Sequence, residues 1–428
     1  MTHARAARPP RPGTAGSESV SAVATHSEGS SAGRAIFEKC RAYTTPDDLK
    51  AAGLFPYFRT IESGQDPVVM MNGREMVMLG SNNYLGLTSH PKVKEAAIAA
   101  VRKYGAGCAG SRLLNGTLDI HVKLEERLAE FMKKPACITF STGFAVNLGV
   151  LATIAQKGDT IYLDRQDHAC IYDGARLAVG ADVKKFRHCD PSDLRRLLGM
   201  GAPKGGRFLV VDGVFSMEGD IAPIPEYADL CDEWDMAFMV DDAHGIGVLG
   251  RHGRGSVEHF GLEDRVDLIM GTFSKSLATV GGFVVGDVDV IKYIQHRARS
   301  LMFTAAPPPA SVAAALAAVD IIEAEPERRA RLWENTRFMM TSLRDMGFDC
   351  GESSTPVIPV VVGEDLNAFR MAMRLQDEGV FVNAVVSPAT PPGRALIRTS
   401  YMATHTREHL TRALEAFRTV GREMGLIG

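Results

Sequence analysis

The sequence predicts an α/β fold in which a mainly parallel sheet is covered on both faces by helices. Three observations support it. Short apolar, β-rich runs alternate with helical patterns, polar side chains repeatedly follow the strands, and the pattern changes after about Ser311. Apolar strands joined by helical connections are typical of parallel sheets that are buried on both sides.

The predicted elements follow in chain order. The strand "ACITF" precedes the helix "GFAVNLGVLATIAQ", "TIYL" precedes "IYDGARLAVG", and "RFLVVDG" precedes "EYADLCDEW". Three further strands lie in "AFMVDDAHG", "VDLIMGTFSK" and "GGFVVGD", and the helix "VIKYIQHRA" follows them. After about Ser311 we expect one long helix, the β-like segments "TPVIPVVVG", "FVNAVV" and "ALIRTSY", and a last helix "REHLTRALEAFRTVGREMG". This change predicts a second, smaller α+β domain.

Composition sets the class of protein. The chain has 428 residues, 45% of them hydrophobic and 23% charged, with a formal net charge of −3. These values fit a soluble globular protein with room for a buried site, and they argue against a nucleic-acid partner. The seven cysteines are dispersed, with no CxxC pair, which predicts reduced thiols in a cytoplasmic protein. No apolar run approaches the ~20 residues of a membrane-spanning helix.

Domain boundaries follow from the changes in pattern. Residues 1–35 are rich in Ser, Ala, Gly and Pro and predict a disordered tail, although their arginines leave a transit peptide as the alternative. We expect an N-terminal segment over 36–80, a large cofactor-binding domain over 81–310 and the small C-terminal domain over 311–428.

Chemically useful side chains follow five of the predicted strands. They are Ser141 to Phe144 after the first, Asp167 and His168 after the second, Asp212 and Ser216 after the third, Asp242 and His244 after the fourth, and Thr272, Ser274 and Lys275 after the fifth. Ligands of parallel sheets bind beyond the carboxyl ends of the strands. The sequence therefore predicts a site assembled along one edge of the sheet.

Lys275 is the only cation in "GTFSKSLATVGG", where hydroxyl side chains surround it. A lysine placed after a strand beside such hydroxyls can form a Schiff base with pyridoxal 5'-phosphate (PLP), whose phosphate the hydroxyls would hold. The alternative is a solvated loop lysine.

PLP also needs three partners: a carboxylate at its pyridine nitrogen, a side-chain ring stacked on its pyridine ring, and hydrogen-bond donors for its phosphate. Asp242 is the candidate carboxylate, with the adjacent Asp241 as the alternative, and His168 is the candidate ring. The turn Thr142–Gly143–Phe144 opens a helix whose first N–H groups can bind phosphate. Taken singly, each of these residues could be an ordinary cap or loop residue.

The motifs resemble those of the α-oxoamine synthases, a family within the fold-type I (aspartate-aminotransferase-like) PLP-dependent enzymes. The similar segments cover roughly residues 45 to 425 and occur in family order: "GSNNYLGL", "GAGCAGSRLLNGTLDIHVKLEERLAEF", "STGFAVNLG", "DHACIYDGARL", "DGVFSMEGDIAPI", "VDDAHGIGVLGRHGRG", "GTFSKSLATVGGF" and "RTSYMATHT". The resemblance implies a PLP-binding large domain, a small C-terminal domain and a homodimer with shared active sites.

The resemblance also implies a role for each candidate residue. Lys275 is the Schiff-base lysine, Asp242 the partner of the pyridine nitrogen and His168 the stacked ring. The other expected cofactor contacts are Thr142, Gly143, Phe144, Ser216, His244, Thr272 and Ser274, with Thr304 reaching the phosphate of the neighbouring subunit. The expected amino-acid contacts are Arg398, Asn83 and His168. No metal is expected.

The activity that the resemblance implies is a decarboxylative condensation of an amino acid with an acyl thioester. Ser274 stands where glycine- and alanine-using members carry a smaller residue, and the closest likeness is to bacterial members that join L-serine to a long-chain acyl-CoA. Those members release CoA and CO2 and form 3-oxosphinganine for sphingolipid synthesis. Ala278, where the family often has glycine, leaves the acyl length open.

Other activities remain as alternatives at this point. Within the family they are 2-amino-3-ketobutyrate CoA ligase and 8-amino-7-oxononanoate synthase, and an acyl-carrier protein could replace CoA as donor. Outside it they are an aminotransferase, a β-eliminating lyase and a catalytically inactive partner subunit. The expected location is the cytoplasm, with peripheral membrane contact left open by the long acyl substrate.

Overall fold

The computed structural model describes residues 34–201 and 203–428, so most of the predicted tail lies outside the described residues. Residues 34–51 and 52–428 belong to two separate compact units. The first contains a 3-10 helix, Ala35–Phe37, and the helices α1 (Glu38–Arg41) and α2 (Thr45–Ala51). The second contains every residue of the predicted site, and the predicted domain boundary at 310/311 stays a prediction.

The second unit alternates strands with helices. Its strands are β1 (Val68–Met71), β2 (Arg74–Met78), β3 (Ala136–Phe140), β4 (Thr160–Asp164), β5 (Asp182–Phe186), β6 (Arg207–Asp212), β7 (Met236–Asp241), β8 (Leu268–Thr272), β9 (Gly282–Gly286), β10 (Val357–Gly363), β11 (Val380–Phe381), β12 (Asn383–Val385) and β13 (Ala395–Ser400). Its helices are α3 (Pro91–Tyr104), α4 (Asp119–Met132), α5 (Gly143–Ile154), α6 (Ala169–Leu177), α7 (Pro191–Leu198), α8 (Ile224–Trp234), α9 (Ser256–His259), α10 (Val288–Arg297), α11 (Arg299–Met302), α12 (Pro309–Ala324), α13 (Glu327–Asp345), α14 (Asp365–Asp377) and α15 (Arg407–Glu423).

A seven-stranded sheet forms the centre of this unit, in the order β3-β9-β8-β7-β6-β4-β5. The strands from β8 to β5 are all parallel, and β9 is antiparallel to both of its neighbours. The predicted mainly parallel sheet is therefore confirmed. Its central strands β4, β6, β7 and β8 have almost every side chain buried, as expected for strands covered on both faces.

Two three-stranded sheets accompany the central one. The first has the order β10-β13-β12 and is wholly antiparallel, and the second has the order β1-β2-β11. Arg398 lies on β13, where it pairs with Pro359 on one side and Asn383 on the other. A strand in the middle of a sheet is held from both sides, so the backbone of this predicted site residue is fixed.

The single long helix expected after Ser311 is wrong. The structure has two helices, α12 and α13, which are separated at Glu325 and Pro326. Proline lacks an N–H group to donate to the preceding turn and disfavours helical geometry in the residue before it. Glu325 accordingly leaves helical geometry, with φ −123° and ψ 61°.

A buried histidine near β2 predicts acid sensitivity. His405 accepts the Met402 N–H at Nδ1 (2.9 Å) and donates from Nε2 to the Met78 carbonyl (3.1 Å). Burial lowers the pKa of His405 to about 3, whereas an unfolded histidine has a pKa of about 6.5. Only the unfolded state takes up this proton between those values. The stability that His405 contributes is therefore complete above pH 6.5 and is lost as the pH falls towards 3.

We expect acidification from pH 7 to pH 5 to cost the wild-type chain about 2 kcal/mol more than it costs His405→Asn. Asparagine retains an acceptor for the Met402 N–H but does not titrate. Urea unfolding at both pH values measures the difference. The exposed His259, replaced in the same way, is the control, and equal acid sensitivity of wild type and His405→Asn would contradict the prediction.

Candidate active site

The register of the central sheet brings three strand ends together. Asp212 at the end of β6 pairs with Asp241 at the end of β7, and Asp241 pairs with Met270 on β8. A cavity of about 300 Å³ lies at this edge, and we call it the strand-end cavity. Most of the predicted site residues line it: Thr142, Gly143, Phe144, His168, Ser216, His244, Thr272, Ser274 and Lys275.

Lys275 lies on the connection between β8 and β9 and lines the strand-end cavity. Burial lowers the pKa of its amine, against the opposing effect of the carboxylates of Asp241 and Asp212. A lowered pKa increases the fraction of neutral amine, which is the form that attacks an aldehyde and accepts a proton. The environment of Lys275 is therefore that of a reactive amine.

The structure corrects the predicted carboxylate. Asp241 lines the strand-end cavity, whereas Asp242 does not. Successive side chains of an extended chain point to opposite faces, and Asp242 accordingly turns away, where its Oδ2 accepts the Ser256 N–H at 2.7 Å. Burial raises the pKa of Asp242 to about 7. Asp242 thus holds the loop that leads into α9, and Asp241 is the carboxylate that faces the cavity.

Two histidines line the strand-end cavity in their neutral forms. His168 caps α6, its ring contacts Phe144 edge to face, and burial lowers its pKa. His244 Nδ1 lies 2.7 Å from the Tyr84 hydroxyl. Burial, assisted by the charges of Lys275 and Arg398, lowers the pKa of His244 well below its ordinary value. A neutral imidazole beside Lys275 can donate a hydrogen bond without adding a positive charge to the cavity.

The strand-end cavity also has the donors that a phosphate requires. The first N–H groups of α5, at Gly143 and Phe144, have no acceptor within their own helix, and a helix N-terminus favours an anion. The hydroxyl residues Thr142, Thr272 and Ser274 line the same cavity. A Cβ atom at Gly143 would lie 2.8 Å from Thr272 Oγ1, so only glycine fits there. Together with the amine, the imidazole and the carboxylate, this cradle fits PLP.

Arg398 lies beside the cavity, and its guanidinium has no carboxylate partner in the described part of the chain. Its Nε donates to the Ser216 carbonyl at 2.5 Å, its Nη2 donates to Asn82 Oδ1 at 3.0 Å, and 5% of the residue is exposed. A buried cation without a counter-ion is costly unless a ligand supplies one. The arrangement therefore favours an anionic group of the substrate next to Ser216.

Asn83, the other predicted amino-acid contact, has a different place. Its Oδ1 accepts the N–H groups of Leu87 and Thr88, and its Nδ2 donates to Gln65 and Thr88. These bonds use both polar atoms of the side chain to fix a turn, so Asn83 is a structural residue. Its neighbour Asn82, which was not among the predicted site residues, contacts Arg398 instead.

A second cavity, of about 880 Å³, shares His168 and Ser216 with the first. Arg165, Arg176 and Arg187 line it, and we call it the arginine-lined cavity. Arg176 and Arg187 have carboxylate partners at 2.9 and 2.8 Å. Within the described residues Arg165 has none, so its charge is open to an anionic ligand.

Two further predicted features have a place in the structure. Ala278 adopts φ +62°, in the left-handed region that glycine enters without strain. A backbone requirement thus accounts for a glycine preference at this position. Thr304 is exposed and does not line the strand-end cavity of its own chain, so its expected contact with a neighbouring subunit stays a prediction.

One group of side chains has the composition of a metal site. Among the described residues, ligand-type atoms of Asp164, His188 and Cys189 lie within 4.8 Å of one another. Both nitrogens of His188 face carboxylates, Asp164 at 3.0 Å and Asp220 at 2.8 Å. Burial opposes the charged form, but the two carboxylates outweigh it and raise the pKa of His188 to about 12. In this arrangement His188 bridges the two carboxylates of Asp164 and Asp220.

In the part of the chain that the structure describes, no helix combines the length and the apolarity needed to cross a membrane.

Comparison with known proteins identifies the family. The model of the aminotransferase class I and II family matches residues 74–417. The chain is 50% identical over 380 residues to a serine palmitoyltransferase of Sphingobacterium spiritivorum, which covers 89% of this chain and 95% of the relative. It is 44% identical over 380 residues to an 8-amino-7-oxononanoate synthase of Symbiobacterium thermophilum, covering 89% of this chain and 97% of the relative.

Solved structures agree with the sequence comparison. The structure of a Sphingomonas wittichii serine palmitoyltransferase has a TM-score of 0.88 and 38% identity, covering 92% of this chain and 99% of that chain. A serine palmitoyltransferase with PLP as an internal aldimine has the same TM-score at 36% identity and the same coverage. These matches confirm both the predicted fold and the resemblance to the α-oxoamine synthases. The chain belongs to the aminotransferase class I and II family of PLP-dependent enzymes.

Proposed function

We propose that the chain is a PLP-dependent acyltransferase that condenses L-serine with a long-chain acyl-CoA, releasing CoA and CO2 and forming 3-oxosphinganine. The observation that carries this proposal is the strand-end cavity. In it an amine of lowered pKa, a carboxylate and a neutral imidazole lie beside a buried guanidinium that has no carboxylate partner among the described residues. The relatives named serine palmitoyltransferase, at 47–50% identity, support the choice of substrates.

The residues of the chain divide the work of the reaction. When bound, PLP supplies an electron sink for the negative charge that forms at Cα of the amino acid. Asp241 would hold a proton at the pyridine nitrogen, because a close carboxylate raises the pKa of a base. The helix N-terminus at Gly143 and the hydroxyls of Thr272 and Ser274 would bind the phosphate.

The substrate side of the reaction depends on orientation. Arg398 would bind the carboxylate of serine, and His168 would donate a hydrogen bond to it. Lys275 Nζ removes the Cα proton as general base. Cα then bonds to the thioester carbonyl carbon, the C–S bond breaks and CoA leaves. The carboxylate departs as CO2, and Lys275 returns a proton to Cα. Holding the reacting groups in the correct orientation contributes several kcal/mol to catalysis.

A substrate matrix tests the proposal. Glycine, L-alanine and L-serine are each combined with short, medium and long acyl-CoA, free CoA is measured, and the product is identified by mass spectrometry. We expect turnover with L-serine and long acyl-CoA. Preferred turnover of L-alanine would instead support the activity of the relatives that are named 8-amino-7-oxononanoate synthase, at 41–44% identity. No CoA release with any amino acid would overturn the condensation itself.

Arg398 provides the sharpest prediction on amino-acid binding. Arg398→Ala should weaken serine binding about 10- to 100-fold, since hydrogen bonds to charged groups contribute roughly 1.5–3 kcal/mol. Arg398→Lys should recover only part of this, because an ammonium cannot form two parallel bonds to a carboxylate. The change in cofactor absorbance on addition of L-serine measures binding. PLP content should stay unchanged, and the exposed Arg418, replaced by Ala, is the control. Unchanged serine affinity in Arg398→Ala would contradict the assignment.

The arginine-lined cavity favours acyl-CoA, a thioester that carries phosphate groups, as the acyl donor. The reason is that guanidinium groups bind phosphate well. We expect Arg165→Glu to raise KM for acyl-CoA about tenfold without changing KM for serine. Steady-state kinetics with each substrate varied in turn separates the two. Arg331→Glu, on the exposed face of α13, is the matched control. If Arg165→Glu raised only KM for serine, the nucleotide part of CoA would have to bind outside the arginine-lined cavity.

We also propose a homodimer in the cytoplasm, in which Thr304 contacts the phosphate bound by the neighbouring subunit. The exposure of Thr304, outside its own cavity, and the seven free cysteines are compatible with this. Mass by light scattering tests the assembly.

A further inference from the structure

Four side chains form a continuous hydrogen-bonded chain along the wall of the strand-end cavity. Asn147 Nδ2 lies 2.6 Å from Asp241 Oδ2 and 2.9 Å from Cys170 Sγ. Cys170 Sγ in turn lies 2.8 Å from His168 Nδ1. Asn147 and Cys170 are buried, at 0% and 2% exposure. Neither residue was singled out from the sequence, where Cys170 was one of seven dispersed thiols.

The direction of each bond follows from the chemistry of the groups. An ionised carboxylate only accepts, so Asn147 must present its NH2 group to Asp241. The same nitrogen carries a second hydrogen, which it donates to the sulfur of Cys170. The single hydrogen of the thiol is then free for His168 Nδ1. That nitrogen also accepts the Cys170 backbone N–H, at 3.3 Å.

A ring nitrogen that accepts two hydrogen bonds carries no hydrogen itself. The hydrogen of neutral His168 must therefore be on Nε2. Burial supports both protonation states, because it raises the pKa of the Cys170 thiol and lowers that of the His168 imidazole. The thiol thus stays a donor, and the ring stays neutral.

We propose that Cys170 is a positioning residue. Asn147, which is itself held by Asp241, orients the Cys170 thiol. The thiol in turn fixes His168 in the tautomer with the hydrogen on Nε2 and restrains the ring. The inference rests on the proposed function, in which His168 donates to the substrate carboxylate. Only this tautomer has a donor at Nε2. The same hydrogen bonds link Asp241 to His168, so one network would orient both the carboxylate proposed to hold the pyridine nitrogen and the histidine proposed to stack on the cofactor.

The test compares Cys170→Ala, which removes the donor, with Cys170→Ser, which retains one. The first readout is the 15N NMR spectrum of the full chain, labelled with 15N at its histidines and loaded with PLP. The signal that disappears in His168→Gln is assigned to His168. We expect wild type and Cys170→Ser to show an unprotonated Nδ1 and a protonated Nε2. Cys170→Ala should show a mixture of both tautomers. Cys231→Ala, a buried thiol on α8, should leave the signal of His168 unchanged.

Kinetics give the second readout. Cys170→Ala should raise KM for serine about two- to tenfold, as expected for one hydrogen bond, whereas Cys170→Ser should stay close to wild type. A single Nε2-protonated tautomer in Cys170→Ala would overturn the inference. Equal losses in the alanine and serine variants would do so too, because side-chain volume would then be decisive. Failure of the proposed function has a different result, since the wild type would release no CoA with serine while the tautomer signal would be unaffected.

Discussion

Lys275→Ala should lower turnover at least about 10³-fold, within the range that a general acid–base group contributes. Among the described residues that line the strand-end cavity, Lys275 is the only one with an amine. Burial lowers its pKa, and a lysine of ordinary pKa would be almost wholly protonated at neutral pH. In the proposed mechanism, this substitution removes both the attachment point for PLP and the base that takes the Cα proton. Free CoA released from acyl-CoA and L-serine measures the loss.

Peptide mapping distinguishes this role from a structural one. Borohydride treatment of the PLP-loaded wild type should leave the pyridoxyl label on the peptide that contains Lys275, and Lys275→Ala should bind PLP weakly without covalent label. Lys123→Ala, at an exposed position on α4, is the control and should keep both label and turnover. Label on a different lysine of the wild type would show that Lys275 is not the residue that binds PLP covalently.

The sequence located most of the site because strand ends are conspicuous. The apolar runs in "ACITF" and "RFLVVDG" stop abruptly at Ser141 and Asp212, and the candidate site residues begin at such stops. The parallel order of the strands then gathers these residues at one edge. Local chemistry and topology therefore suffice for Lys275, His168 and the phosphate cradle.

The choice between adjacent residues could not be made in this way. Both faces of β7 are buried, so no alternation of polar and apolar residues indicates which of Asp241 and Asp242 faces the cavity. The same holds for Asn82 and Asn83 in "GSNNYLGL". Their roles depend on which side chain closes a local turn, and that is fixed by atoms distant in sequence, such as the guanidinium of Arg398. The link from Asn147 to Cys170 is likewise tertiary.

Asp241→Asn should weaken PLP binding about 10- to 100-fold, the cost of one charged hydrogen bond. It should also lower turnover about 10²-fold or more, as expected when a preorganised electrostatic group is removed. Asp241 is 3% exposed and pairs in register with Asp212 and Met270, so its carboxylate is held at the strand ends. An amide there cannot keep the pyridine nitrogen protonated. Equilibrium dialysis with PLP and the CoA-release assay measure the two effects.

Asp242→Asn is the matched comparison, since it makes the same chemical change one residue away. Burial raises the pKa of Asp242 to about 7, so an uncharged side chain is already compatible with this position, and the amide oxygen can still accept the Ser256 N–H. We expect PLP binding and turnover close to wild type. If Asp242→Asn loses PLP while Asp241→Asn retains it, the original assignment from the sequence is restored. If both variants lose it equally, the two carboxylates act through the shape of the turn rather than through one charge.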